Sequence, residues 1–136
     1  MSQTMLILLP GVWLGFVLGI SFLEAPLKFR APGITRELGL GIGKLVFGAL
    51  NKVELVLATF LALVSWSVML PGGGWIVLGI LLLLLVVQTF FLLPNLTKRV
   101  TLIQSGVTPP PSKQHLVYIM LEIVKVVMLL LFVFQL

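Results

Sequence analysis

Four long apolar runs, residues 5–24, 44–70, 75–93 and 116–136, alternate with short polar gaps along the chain. A helix needs about 20 residues to cross a hydrocarbon core of about 30 Å, and each run approaches or exceeds that length. The pattern predicts an all-α fold, a four-helix transmembrane bundle, with residues 1–136 forming a single integral membrane domain. Counted from Lys44, the second run spans 27 residues, more than an upright crossing requires, so it is expected to tilt or to project on the basic side. The short Pro71-Gly72-Gly73-Gly74 turn beside Trp75 predicts an antiparallel hairpin with an aromatic side chain at the interface. Pro10 is placed in the first turn of its helix, where a missing donor is tolerated. Pro26 and Pro32 are expected to break that helix at its far end. Gly39, Gly41 and Gly43 precede the second run as a turn or a flexible or tightly packed entrance, and Ser112 marks the start of the fourth.

Composition agrees with a membrane solvent: 60% of residues are apolar, 10% charged, and mean hydropathy is +1.23. Residues 1–4 carry no basic residue and no A-x-A-like site follows the first run, so that run is read as a retained helix and not a cleaved signal. The net charge of +5 and pI near 10.1 raise the question of an anionic partner. Seven of the nine basic residues, however, fall in or at the edge of the gaps between alternate runs: Lys28, Arg30, Arg36 and Lys44 at one, Lys98, Arg99 and Lys113 in the other. They are read as topology signals. The bilayer is the expected partner and no nucleic acid is, since no dense basic cluster occurs. The positive-inside rule then places both loops in the cytoplasm and both termini outside, in a bacterial inner (plasma) membrane.

Gly11, Gly15 and Gly19 recur every four residues and share one helical face, a helix-packing seam of small residues that Ala58 and Ala62 are suited to match. The chain also compares with itself at a shift of 68, half of its 136 residues. Ser21 then falls on Thr89, Phe22 on Phe90, Pro26 on Pro94, Arg30 on Lys98 and Glu54 on Glu122. A pair of parallel hairpins related by an axis along the membrane normal would give this pattern, and so would coincidence between apolar helices.

Candidate chemistry lies in the few polar residues inside the runs. Ionisable groups there are costly and are expected to face the bundle interior and to pair. At about 1.5 Å of rise per residue, Glu122 and Lys125 lie about 10 and 15 Å in from His115, Gln88 lies about 9 Å in from Pro94, and Asn51 and Glu54 lie at most about 15 Å past Lys44. Asn51 and Glu54 share a face at i, i+3, as do Glu122 and Lys125. Asn51, Glu54, Gln88, Glu122 and Lys125 are therefore expected to form one polar layer in the basic-loop half. Lys52 is expected to reach the headgroups, pairing with Glu24 or Glu37. Ser65, Ser67 and Thr59 are too few to continue a polar path across the other half. One reading makes the layer an ion pair that fixes helix register. Another makes it a proton-handling site, with one glutamate paired to Lys125 and its fellow free to titrate.

The chain has no Cys and no Asp, and His115 is its sole histidine, which excludes thiol chemistry, disulfides and multi-histidine metal or haem sites within one chain. No phosphate loop, nucleophile elbow or paired catalytic acid occurs, so no cofactor, metal or enzymatic activity is called for. The stretch Glu24-Ala25-Pro26-Leu27-Lys28-Phe29-Arg30, a glycine-containing loop and then Gly48-Ala49-Leu50-Asn51-Lys52-Val53-Glu54 resemble small bacterial four-helix proteins, broadly similar to the transmembrane protein 205 family. The resemblance implies a four-helix membrane bundle and supplies no catalytic residues. Two functions are carried forward: permeation of a small solute or coupled protons through the polar layer, or a non-catalytic accessory subunit, with a homodimer or a partner membrane subunit seated on the glycine ladder.

Overall fold

The computed structural model describes residues 2–70, 72–110 and 113–136. Four helices, each long and apolar enough to span a membrane, account for most of them: α1 (Ser2–Lys28), α2 (Arg36–Val68), α3 (Gly72–Gln104) and α4 (Gln114–Phe134). No strand occurs among the described residues. The helices close a ring in chain order, α1 against α2 and α4, α3 against α2 and α4. Leu45, Trp66, Leu83, Phe90 and Phe91 stand exposed on the outside, an apolar surface suited to lipid and not to water. The protein is a multi-pass membrane bundle.

Three of the helices overrun the limits expected from hydropathy, each for a local reason. α2 begins at Arg36, not Lys44. Thr35 caps it, its hydroxyl accepting from the Leu38 N–H at 3.1 Å, with Glu37 in the first turn where an anion is favoured. Gly39, Gly41 and Gly43 thus lie within the helix, and tertiary packing outweighs their poor propensity. A Cβ on Gly39 would strike the Phe29 ring, one on Gly41 would come 2.5 Å from the Gln104 amide nitrogen, and one on Gly43 would come 3.0 Å from Lys28 Nζ. Small residues here let α1 and α3 crowd onto α2.

Neither Pro26 nor Pro94 ends its helix. The hydrogen-bond ladder slips into π-helix over Leu18–Glu24 in α1 and over Gln88–Leu92 in α3. The Ala25 N–H donates to the Ile20 carbonyl and the Leu93 N–H to the Gln88 carbonyl, both i to i−5, one residue before each proline. The donor that proline lacks then falls where the ladder changes register, and the helix continues. Ser2 begins α1, which puts Pro10 more than two turns in, buried against the core, and not in the first turn. Gly72, Gly73 and Gly74 belong to the first turn of α3. α2 ends on Met69 in the left-handed region at φ 51°. Pro71 and Ser112, expected in a turn and at the start of α4, lie outside the described residues.

The shift of 68 reappears as structure. The buried positions of α1 are Leu6, Pro10, Trp13 and Val17, and adding 68 gives Gly74, Leu78, Leu81 and Leu85, the buried positions of the first part of α3. Leu50, Glu54 and Leu61 of α2 map likewise onto Tyr118, Glu122 and Leu129 of α4, all buried. With the π segments and prolines also in matching places, the two hairpins share much of one buried register, though Ala58 and Ser65 of α2 fall on half-buried Val126 and Val133.

Along the bundle axis the interior has three strata. The half nearest the termini is dry, filled by Leu6, Leu61, Leu70, Leu78, Leu81, Leu129 and Phe132. A layer of charged and amide side chains follows. Beyond it, towards the basic loops, the helices part around a cavity.

Candidate functional site: a buried charge network beside a cavity

Each helix contributes to the network because its narrow interior face carries a polar residue at the same height. Glu54, Gln88, Glu122 and Lys125 are all at most 1% exposed. Lys125 Nζ sits 2.6 Å from Glu54 Oε2 and 2.8 Å from Glu122 Oε1, bridging α2 and α4. Glu54 Oε2 also accepts from Trp13 Nε1 of α1 at 2.8 Å. Glu122 Oε1 accepts from Gln88 Nε2 of α3 at 2.7 Å, and Glu122 Oε2 from the Ser21 hydroxyl at 2.9 Å. Such charge-assisted contacts are what makes buried ions tolerable. The two glutamates occupy equivalent positions in the two hairpins. Lys125 breaks the equivalence, since the matching position in α2 is Leu57.

Four of the five residues expected in the polar layer meet in this network. Asn51 stands apart from it: it is half-buried, and its side-chain oxygen accepts at 3.0 Å from Thr89, whose hydroxyl also meets the Leu85 carbonyl. Lys52 is exposed and makes no ion pair among the described residues, whereas Glu24 pairs with Lys28 at 3.6 Å. Trp13, Ser21 and Thr89 were not anticipated. Trp13 carried a usable signal, a tryptophan deep in an apolar run instead of at the interface where tryptophans gather. Ser21 and Thr89 carried another, since they coincide at the shift of 68.

The glycine ladder does not pack within the bundle. Gly11 and Gly15 are exposed and Gly19 partly so, and a Cβ on any of them would meet nothing within 4 Å. Because α1 buries the face of Leu6, Pro10, Trp13 and Val17, the ladder points outward, away from Ala58 on the core side of α2. A shallow groove between Val12, Gly15, Phe16, Gly19 and Ile20 marks that face.

On the basic side of the network lies a cavity of about 510 Å³. Ser21 and Glu122 reach its wall, which joins it to the charge network. The rest of its lining is mainly apolar, with Lys28, Arg36, Lys44 and Arg99 among it and His115 near the start of α4. Towards the termini the described leucines and Phe132 fill the interior. Ser65, buried in that half, has an unpartnered hydroxyl. Among the described residues no three His, Asp or Glu gather where they could hold a metal ion.

Comparison of the chain with protein families, curated proteins and solved structures finds no match.

Proposed function

We propose that the protein is a small-solute permeation protein coupled to protons, in which the Glu54–Lys125–Glu122 triad holds the proton and the adjoining cavity holds the solute. One observation carries this reading: two buried carboxylates share a single ammonium, and one of them borders the cavity. With both glutamates ionised the triad bears one unbalanced negative charge in a low-dielectric layer, and one added proton cancels it. Lys125 then pairs with a single glutamate, and the neutral carboxyl becomes a donor. A change of partner by Lys125 between α2 and α4 would move the two hairpins relative to one another. Parallel repeats of this kind serve transporters by rocking about a central site. In this arrangement the dry half forms the closed gate, the basic loops face the cytoplasm, and the membrane is a bacterial inner membrane.

The test is proton flux into proteoliposomes that contain a pH-sensitive dye. Wild-type protein should collapse an imposed pH gradient faster than empty liposomes, and Glu122→Gln should return the rate to that of empty liposomes. Gln at this position keeps an acceptor for Lys125 and leaves a neutral one-to-one pair with Glu54, so the bundle should persist. Equal flux from wild type and Glu122→Gln, or none from wild type, rejects the proposal.

The outward glycine ladder favours a second reading, an accessory subunit whose α1 self-associates with the α1 of another copy. Close approach of backbones at small residues is the common means of helix association in lipid. Cross-linking in nanodiscs should then trap a wild-type dimer that Gly15→Leu reduces to monomer. A wild-type protein that is monomeric at every protein-to-lipid ratio eliminates this version.

A further inference from the structure

The cavity itself specifies a ligand class, and the inference rests on the permeation reading because it names what would travel with the proton. We propose that the cavity binds an amphipathic monoanion, a carboxylate or phosphate head on an apolar tail. Its volume, about 510 Å³, lies within the range of small-molecule sites, about 300–1,000 Å³. Four Lys and Arg side chains line it against one carboxylate, Glu122. A cationic solute would meet repulsion at every approach except the innermost.

One of these cations, Lys28, is held as a binding site needs it, and not as a topology signal requires. Basic loop residues normally extend their heads into water. Lys28 instead turns inward, its side chain 10% exposed, with Nζ 5.7 Å from the ring centroids of both Phe29 and Phe47. Its one acid partner is Glu24, at a loose 3.6 Å. Gly43 of α2 leaves room for that ammonium, since any side chain there would press on it. Lys44 and Arg99 are fixed by neutral groups, Lys44 donating to the Thr101 hydroxyl at 3.1 Å and Arg99 to the Pro110 carbonyl at 2.6 Å. They are positioned but not neutralised. Phe22, Leu93, Leu96 and Ile119 complete an apolar wall suited to an acyl or aromatic tail.

The anion and the proton are matched by charge. An anion that enters alone brings a second negative charge towards a network already one carboxylate in excess. Entry together with a proton leaves the sum unchanged. The head group therefore belongs near Lys28, Lys44 and Arg99, with the proton on the glutamates beyond.

Equilibrium binding of octanoate to the full-length protein in phosphatidylcholine nanodiscs, measured against empty nanodiscs, tests the assignment. Octanoate should bind saturably, and octylammonium of the same chain length should not. Lys28→Gln should weaken octanoate binding about tenfold or more, as the loss of a charge-assisted contact predicts, while Lys28→Arg retains it. No saturable octanoate binding, equal binding of octylammonium, or indifference to Lys28→Gln overturns the proposal. Added phosphatidylglycerol separates the two sources of such a head group. Displacement of octanoate supports a bilayer lipid as the occupant, and undiminished binding supports a free carboxylate. The assay needs no flux. Octanoate binding without proton flux would sink the permeation reading and spare the site, and proton flux without octanoate binding would do the reverse.

Discussion

Lys125→Met is expected to destabilise the bundle by about 3–5 kcal/mol, the cost of leaving buried charges without their counter-ion. The variant strands Glu54 and Glu122 together, each about 1% exposed, facing one another with no cation between them. Trp13, Gln88 and Ser21 still donate to them, but three hydrogen bonds do not replace an ammonium. Unfolding by denaturing detergent, followed through helical circular dichroism, measures the loss. The informative partner is the triple variant Glu54→Gln, Glu122→Gln and Lys125→Met. It removes all three charges while keeping amide oxygens for the same donors. Buried ionic triads replaced as a unit by well-packed hydrophobic residues are often no less stable than the original; with two amides whose N–H groups still need acceptors, this variant should recover part of the loss. If it also ends the proton flux, the triad's charges serve function and are not needed to hold the bundle together. A triple variant no more stable than Lys125→Met alone would show that the charges themselves hold the helices.

The four spans and the polar layer were legible because in lipid both follow from solvation. Twenty apolar residues have nowhere else to go, and charged groups among them must find one another. Depth counting alone brought Glu54, Gln88, Glu122 and Lys125 to one level. Helix ends were less legible. Gly39, Gly41 and Gly43 read as a turn or a flexible or tightly packed entrance, and what makes them a tightly packed stretch of helix is space demanded by Phe29, Lys28 and Gln104 from elsewhere in the chain. Pro26 reads as a stop, and no local propensity announces the π register that absorbs it, or the one before Pro94. The direction of the glycine ladder was hidden for another reason: α1 is apolar all round, so periodicity cannot say which face meets lipid. In this helix the bulky Trp13, and not the glycines, marks the interior. Self-comparison at 68 contained that information, since Trp13 falls on Leu81 of α3, also fully buried.

Trp13 is for that reason the second position where a large effect is expected. Its side chain is fully buried, and its indole N–H is the donor from α1 to Glu54. Two terms separate by choice of substitution. Trp13→Phe keeps most of the apolar volume and removes the donor, which should cost about 1.5–3 kcal/mol, the worth of a hydrogen bond to a charged group. Trp13→Ala adds a cavity at the centre of the core, for a total at or above the range of about 3–5 kcal/mol typical of such truncations. The same detergent-unfolding assay reads both. A double-mutant cycle then locates the polar term. In a Glu54→Gln background the acceptor is neutral and its hydrogen bond weaker, so the additional loss from Trp13→Phe should shrink. If Trp13→Phe costs the same whether residue 54 is Glu or Gln, the indole acts through packing alone, and α1 is joined to the network only through Ser21. If the coupling is present, α1 is tied to the charge state of α2. A proton gained or lost at the triad then alters how firmly α1 is held against α2, within the hairpin that the permeation reading requires to move.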